Sequence, residues 1–486
     1  MRSGAGLLVA LVLAAAASPA SKPDEIAKRL AVRAQGQTPL IDDVRELCDR
    51  VGGRPTGSPA CSRAVKWAAD KLRATGVDKV TVERFAMPRL WLARSAEASC
   101  TAPEHFGLRV AAAPGSASTP RPLEARLVVA QADQLSQLPS ARGAVLLILS
   151  KEMKTLDDLF DEYMRNRPLL EAARKAQVAA VLLQSTRPRG LLYRHPVTLA
   201  GEVAPLPVAV VAREHAARLA RLAGQGQVRV RLQLTNQIGG AYQAENVVAE
   251  IRGRERPDEI VLLGAHLDSW DLGTGAEDNG VNAALVIDVA RGLAAVGQRP
   301  RRTVRLVLFT GEEQGMLGSA GYVGRHAAEI AGHVAVVVFD LGSGRTLGFY
   351  TNGRDELRQP VDELLAAGGL EARAHLPDAL DGTDNFDFLL SGVPNLVANQ
   401  DPAPYLPEYH AESDVFERVN LAQAKHNDAI AAVLVWGLAE RTQRLAPRQT
   451  RAELDQLIRK TKLDEQMKAF GQWEAWMAGK RAVPPP

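Results

Sequence analysis

Continuous apolar runs of strand length, each closed by a short polar loop and followed by a helical repeat, recur along the second half of this chain. Ile260-Val261-Leu262-Leu263-Gly264-Ala265 is one such run, the pattern of a strand covered on both faces in a parallel sheet. Residues 303–310 and 333–339 repeat it, and helical patterns follow over 280–293, 317–330 and 421–442. This alternation predicts an α/β fold with a mixed, mostly parallel central sheet flanked by helices.

Changes of pattern mark out the domains. Residues 41–47 and 62–75 read as amphipathic helices around a Gly/Pro turn at 52–59, and 79–85 as a strand. From 92 to 235 the chain carries strands of its own at 144–149, 178–184 and 207–211, with helices between, and the first pattern resumes at 244–252. The middle block therefore reads as an insertion. The expected division is a leader at 1–20, a main domain in two parts at 21–91 and 236–446, an inserted domain at 92–235, and a charged helical tail at 447–486 that contains Trp473 and Trp476.

The leader has the form of a signal peptide: Met1-Arg2, an apolar run over 7–17, and the small-residue site Ser18-Pro19-Ala20. Cleavage near Ala20 implies a secreted or periplasmic protein. The run is too short to anchor in a bilayer, and no later segment is long and apolar enough, so no membrane span is expected. Lys+Arg 59 against Asp+Glu 56 leaves +3, and loss of residues 1–20 removes one Arg and no acid, leaving +2. That balance provides no electrostatic footprint for nucleic acid. Cys48, Cys61 and Cys100 allow at most one internal bridge; Cys48 with Cys61 is the favoured pair in an oxidising compartment, and buried free thiols are the equal alternative.

Chemistry gathers at the ends of the apolar runs. His266 closes the first, and Asp278-Asn279-Gly280 ends its loop at the start of a helix. Glu312-Glu313 follows the second, Asp340 the third, and His410 lies in a loop ahead of the last helix. In open α/β sheets ligands bind where such loops converge. Two histidines and three carboxylates without thiolate suit zinc, or less selectively cobalt or manganese.

With Gly311-Glu312-Glu313, Gly382-Thr383-Asp384, Gly392-Val393-Pro394 and Tyr409-His410-x-x-x-Asp414 added, the chain resembles the co-catalytic zinc exopeptidases from about Leu30 to about Arg444. These comprise carboxypeptidase Q-like enzymes and secreted aminopeptidases with a protease-associated domain. The resemblance implies the zinc exopeptidase fold, with the insertion as a protease-associated domain over the active site. It implies two zinc ions, one on His266 and Asp340, the other on Glu313 and His410, with Asp278 bridging and a cis peptide after it. Glu312 would be the general base. Asp268 would hold the imidazole of His266, Asp414 would do likewise near His410, and Tyr409 would donate to the developing oxyanion. The substrates implied are dipeptides, or N-terminal residues of short peptides with a free amino terminus, and the loop at 381–388 and the insertion are expected to line the pocket. The metal motifs leave dipeptidase and aminopeptidase open, because they serve the amide and not the side chain. A homodimer would match the resemblance. The same fold hosts glutaminyl cyclase-like acyltransferases with a single zinc, and related chains act as receptor-like ectodomains without activity. His266 and the large insertion argue against the first; retention of the five ligand positions and Glu312 argues against the second.

Overall fold

Two sheets organise the computed structural model, which describes residues 23–133 and 141–483. The leader and its cleavage site lie outside the described residues. The first sheet has seven strands in the order Lys79–Met87, Tyr242–Ile251, Arg302–Phe309, Arg256–His266, His333–Val338, Asn395–Gln400 and Thr346–Tyr350. Its four strands from Arg302–Phe309 to Asn395–Gln400 run parallel, and antiparallel strands flank them on both sides.

Burial along Arg302–Phe309 and His333–Val338 is unbroken, as apolar runs without alternation require. Val261 and Leu263 face the helices Val281–Ala295 and Leu421–Glu440, while Leu262 faces Tyr322 and Phe388 on the opposite side. The helical pattern over 317–330 is realised as Leu317–Arg325 followed by a 3-10 turn at Ala327–Gly332. His326 leaves helical geometry between them, with its ring 2.9 Å from Glu83 and 3.1 Å from Glu329. Asn395–Gln400 is a fully buried strand whose polar residues hid it from the apolar pattern. Its amides are satisfied internally: Asn399 Nδ2 donates to Ala374 O at 2.9 Å and Asn395 Nδ2 to Val393 O at 2.8 Å.

The chain leaves this sheet after Met87 and rejoins it at Tyr242. Between them it builds an eight-stranded sheet in the order Phe106–Leu108, Trp91–Ala102, Arg229–Ile238, Leu123–Gln131, Val145–Leu149, Ala180–Gln184, Val208–Val211 and Val110–Ala112. At the carboxyl end, helices Arg451–Thr461, Leu463–Ala469 and Trp473–Met477 pack Leu454, Ile458, Met467 and Trp476 on Phe386, Leu389 and Leu390. Cys48, Cys61 and Cys100 are all buried free thiols, so the favoured Cys48–Cys61 pair is not bridged. Among the described residues no helix is long and apolar enough to cross a membrane.

Candidate metal centre

The carboxyl ends of the parallel strands bring the polar loops to one place. Arg256–His266 ends on His266, Arg302–Phe309 leads to Glu312 and Glu313, His333–Val338 leads to Asp340, and the loop beyond Asn395–Gln400 carries His410. Gly311 makes the turn into the glutamate pair at φ 75°, a conformation glycine takes without steric cost. Its amide donates to Asp268 Oδ2 at 2.9 Å and to Thr56 Oγ1 at 2.8 Å, which ties the two loops together. His410 sits at φ 56°, where a side chain costs on the order of 1–2 kcal/mol, so its neighbours must hold it there. The Asp278–Asn279 peptide is cis.

Two imidazole–carboxylate pairs meet on opposite oxygens of Asp278. His266 Nε2 lies 2.9 Å from Asp340 Oδ1 and 3.1 Å from Asp278 Oδ1. His410 Nε2 lies 2.8 Å from Glu313 Oε2 and 3.4 Å from Asp278 Oδ2. Each Nδ1–H donates to a main-chain carbonyl, Asp268 O at 3.0 Å for His266 and Arg194 O at 2.9 Å for His410. Both rings thus turn an Nε2 lone pair toward carboxylate oxygens, and that contact is favourable only with a proton or a cation between them.

The two rings differ in which they could take. Burial depresses the pKa of His266, but Asp340, Asp268 and Asp278 outweigh it and hold it well above the usual histidine range. Burial lowers His410 to about 4 against the pull of Asp278, so its ring is neutral at neutral pH. The carboxyls carry the matching strain. Burial, with added like charge from Asp278, pushes Glu313 far up, and burial likewise raises Asp340. Asp278 Oδ2, both Glu313 oxygens and Asp340 Oδ1 are buried and accept no hydrogen bond. One ligand atom each from His266, Asp278 and Glu313 lies within 4.8 Å of the others. Buried, unpaired oxygen and nitrogen donors of this kind fit divalent cations.

Glu312 belongs to neither pair. Its carboxylate is 4.0 Å from His266 Nε2, and its side chain is 12% exposed where that of Glu313 is 2% exposed. Burial raises its pKa well above the carboxylate range; His266 opposes this, and Asp340, Asp384 and Glu313 add to it.

The two supporting carboxylates differ in what they touch. Asp268 meets His266 with both main chain and side chain: its carbonyl accepts from Nδ1–H and its Oδ1 lies 3.7 Å from that nitrogen, while Oδ2 accepts from Thr56 and Gly311. Asp414 does not hold His410: Oδ1 accepts from the amides of Ala276 and Glu277 at 2.9 and 2.7 Å, and Oδ2 from Asp278 N at 3.2 Å. A carboxylate placed across a loop with several free amides is drawn to them. The ring of His410 goes to Arg194 O because the strand bridge Tyr193–Ala411 lays the inserted block alongside it. Tyr409 stacks on His410 with ring centroids 3.7 Å apart, and its hydroxyl bonds to Tyr163 of the insertion at 2.8 Å.

A cavity opens over this centre, with Glu312, Glu313, Asp340 and His410 among its polar lining. Asp381 and Thr383 line it, as do Tyr163 of the insertion and Phe470 of the tail. Arg194, Tyr163 and Phe470 carried no motif signal. Tyr405, in the cavity wall, could have been found from its place four residues before Tyr409.

Comparison with known proteins gives a consistent result. The sequence profile described as Peptidase family M28 matches residues 246–435. Carboxypeptidase Q from Rattus norvegicus is 29% identical over 432 residues, 87% of this chain and 90% of that protein. The Xenopus laevis protein of that name is 28% identical over 393 residues, 79% of this chain and 82% of its own. A crystal structure of a peptidase M28 precursor from Shewanella amazonensis SB2B superposes with TM-score 0.79 at 30% identity, covering 88% of this chain and 99% of that one. A zinc aminopeptidase from Bacillus subtilis shares the fold at TM-score 0.67 and 20% identity, covering 84% of this chain and 96% of that one.

Proposed function

The chain belongs to Peptidase family M28, and from that premise we propose that this metallo-exopeptidase uses two zinc ions to hydrolyse dipeptides, or to release N-terminal residues from short peptides with a free amino terminus. The observation that carries the reading is the convergence of two imidazole–carboxylate pairs on opposite oxygens of one buried aspartate. His266 and Asp340 would hold one ion, Glu313 and His410 the other, and Asp278 both. The choice of zinc is supported by a donor set of oxygen and nitrogen without thiolate and by the zinc aminopeptidase that shares this fold. When bound, a metal pair supplies Lewis acidity at the scissile carbonyl and makes a water acidic enough to attack at neutral pH.

The chain's own residues do the rest. Glu312, unligated and reaching the cavity, accepts a proton from the attacking water and delivers it to the departing amine. Tyr409 shares a hydrogen bond with the Tyr163 hydroxyl, and with Tyr163 as the donor in that pair it would give its own proton to the developing oxyanion. The Nδ1–H bonds to Asp268 O and Arg194 O keep both Nε2 lone pairs aimed inward. Asp414 fixes the loop that presents Asp278. The inserted block, read as a protease-associated domain, roofs the site through Tyr163. Export belongs to the same reading and is supported by the leader ending near Ala20.

Purified mature protein is expected to contain about two zinc ions per chain, to lose activity on exhaustive chelation, and to cleave free-amino peptides but not their N-acetylated equivalents. Full activity without metal would end the mechanism; cleavage of blocked peptides at internal bonds would end the exopeptidase reading.

A further inference from the structure

The segment beyond residue 447 lies outside the region matched to the family, yet it reaches the active-site cavity. Leu463, Met467 and Trp476 pack on the body of the protein beside Phe386 and Leu389. Phe470, from the same segment, lines the cavity that holds Glu312, Asp340 and His410. Its ring meets Tyr163 of the insertion edge-on, with centroids 5.9 Å apart and planes at 78°. Arg167 Nη1 of the insertion donates to Lys468 O at 3.1 Å, a second tie between the two parts.

The segment is fastened, not draped. Arg481 is buried and grips Asp387 with both arms, Nε to Oδ1 at 2.8 Å and Nη2 to Oδ2 at 2.9 Å, the fork geometry that arginine makes with carboxylate. Val483 N donates to Ser391 Oγ at 3.0 Å. Asp387 lies in the first turn of the helix Phe386–Leu390 and Ser391 directly follows it, so the tail braces the element that follows the cavity-lining loop of Asp381 and Thr383. On the insertion side of the same opening stand Leu156, Leu159, Phe160 and Tyr163. Phe470 adds its ring to these apolar lining residues, edge-on to Tyr163.

We propose that Phe470 is a specificity-determining residue: with Phe160 and Tyr163 it forms a pocket that selects substrates whose N-terminal residue has a large apolar side chain. This rests on the exopeptidase reading above. A rigid aromatic ring in such a wall discriminates by the apolar surface it covers, so loss of the ring should penalise large substrates and leave small ones nearly untouched.

The test compares kcat/KM for Phe-Gly and Ala-Gly in the zinc-loaded full-length enzyme. The wild type should favour Phe-Gly by about tenfold or more, and Phe470→Ala should reduce that ratio by about tenfold. Phe470→Leu, which keeps apolar bulk, should retain most of it and also serves if the alanine variant folds poorly. Trp473→Ala, in the same segment but packed against the core beside it, should leave the ratio unchanged. A wild type without preference, an unaltered ratio in both Phe470 variants, or an equal change in Trp473→Ala overturns the proposal while the exopeptidase reading stands. A folded, metal-loaded wild type that cleaves neither dipeptide nor any longer free-amino peptide overturns the exopeptidase reading itself.

Discussion

Glu312 and Glu313 are adjacent in the chain and differ in what surrounds their carboxylates. Glu313 lies against His410 Nε2 at 2.8 Å with its side chain 2% exposed, while Glu312, 12% exposed, pairs with no imidazole closer than 4.0 Å. On the proposed roles, Glu312→Gln would remove a proton acceptor and no metal ligand. It is expected to lower kcat by about two orders of magnitude with metal content unchanged. Glu313→Gln should reduce metal content as well as activity. Elemental analysis alongside steady-state kinetics distinguishes the two, and the reverse outcome would exchange their roles.

Among the elements, the stretch around Arg194 joins the insertion to the metal loops. Its carbonyl accepts from His410, and its buried guanidinium binds Asp271 at 2.8 and 3.2 Å and Ala112 O at 2.8 Å. Asp271 lies on the loop between His266 and Asp278, so one residue touches both halves of the site. Arg194→Ala should free the carbonyl to move and weaken binding of one metal ion by about 10–100-fold, the usual cost of losing support behind a ligand. Metal titration of the chelated protein measures this. A lower melting temperature with unaltered metal affinity would reduce Arg194 to a packing role.

For the whole molecule, His333, buried outside the site, contributes to the response to acid. His333 is held neutral, its Nδ1–H donating to Glu329 O at 3.1 Å while its Nε2 accepts from Tyr322 at 3.0 Å. Burial lowers its pKa from 6.5 to about 4. The unfolded chain therefore binds a proton that the folded one refuses as pH falls below 6.5, and this contribution to stability is present above 6.5 and lost on the way down to about 4. His333→Gln cannot titrate. The melting-temperature advantage of the wild type over this variant should shrink between about pH 7 and about pH 4.5, and a constant difference would show that His333 is not the titrating group.

The α/β class and the family were legible in the sequence because both rest on local pattern. An apolar run such as 260–265 declares a strand buried on two faces, and the residue that ends the run stands at the sheet edge whatever the rest of the chain does. His266 ends its run and Glu312 and Asp340 follow theirs within two residues, so their types and order could be read before any distance was known. Their partners could not. Asp414 lies close to His410 in sequence but bonds to amides 276–278, because carboxylate oxygens take the nearest unsatisfied N–H groups and the fold decides which those are. Asn395–Gln400 is an interior strand flanked by polar residues at both ends, and the amide of Asn399 finds its partner, Ala374 O, only after a neighbouring segment arrives. Arg194 and Phe470 reach the site from segments far away along the chain, carried by sheet pairing and helix packing that leave no local trace. Local hydrophobic periodicity sets what each element is; closure of the cavity depends on contacts between elements, and only the tertiary structure decides those.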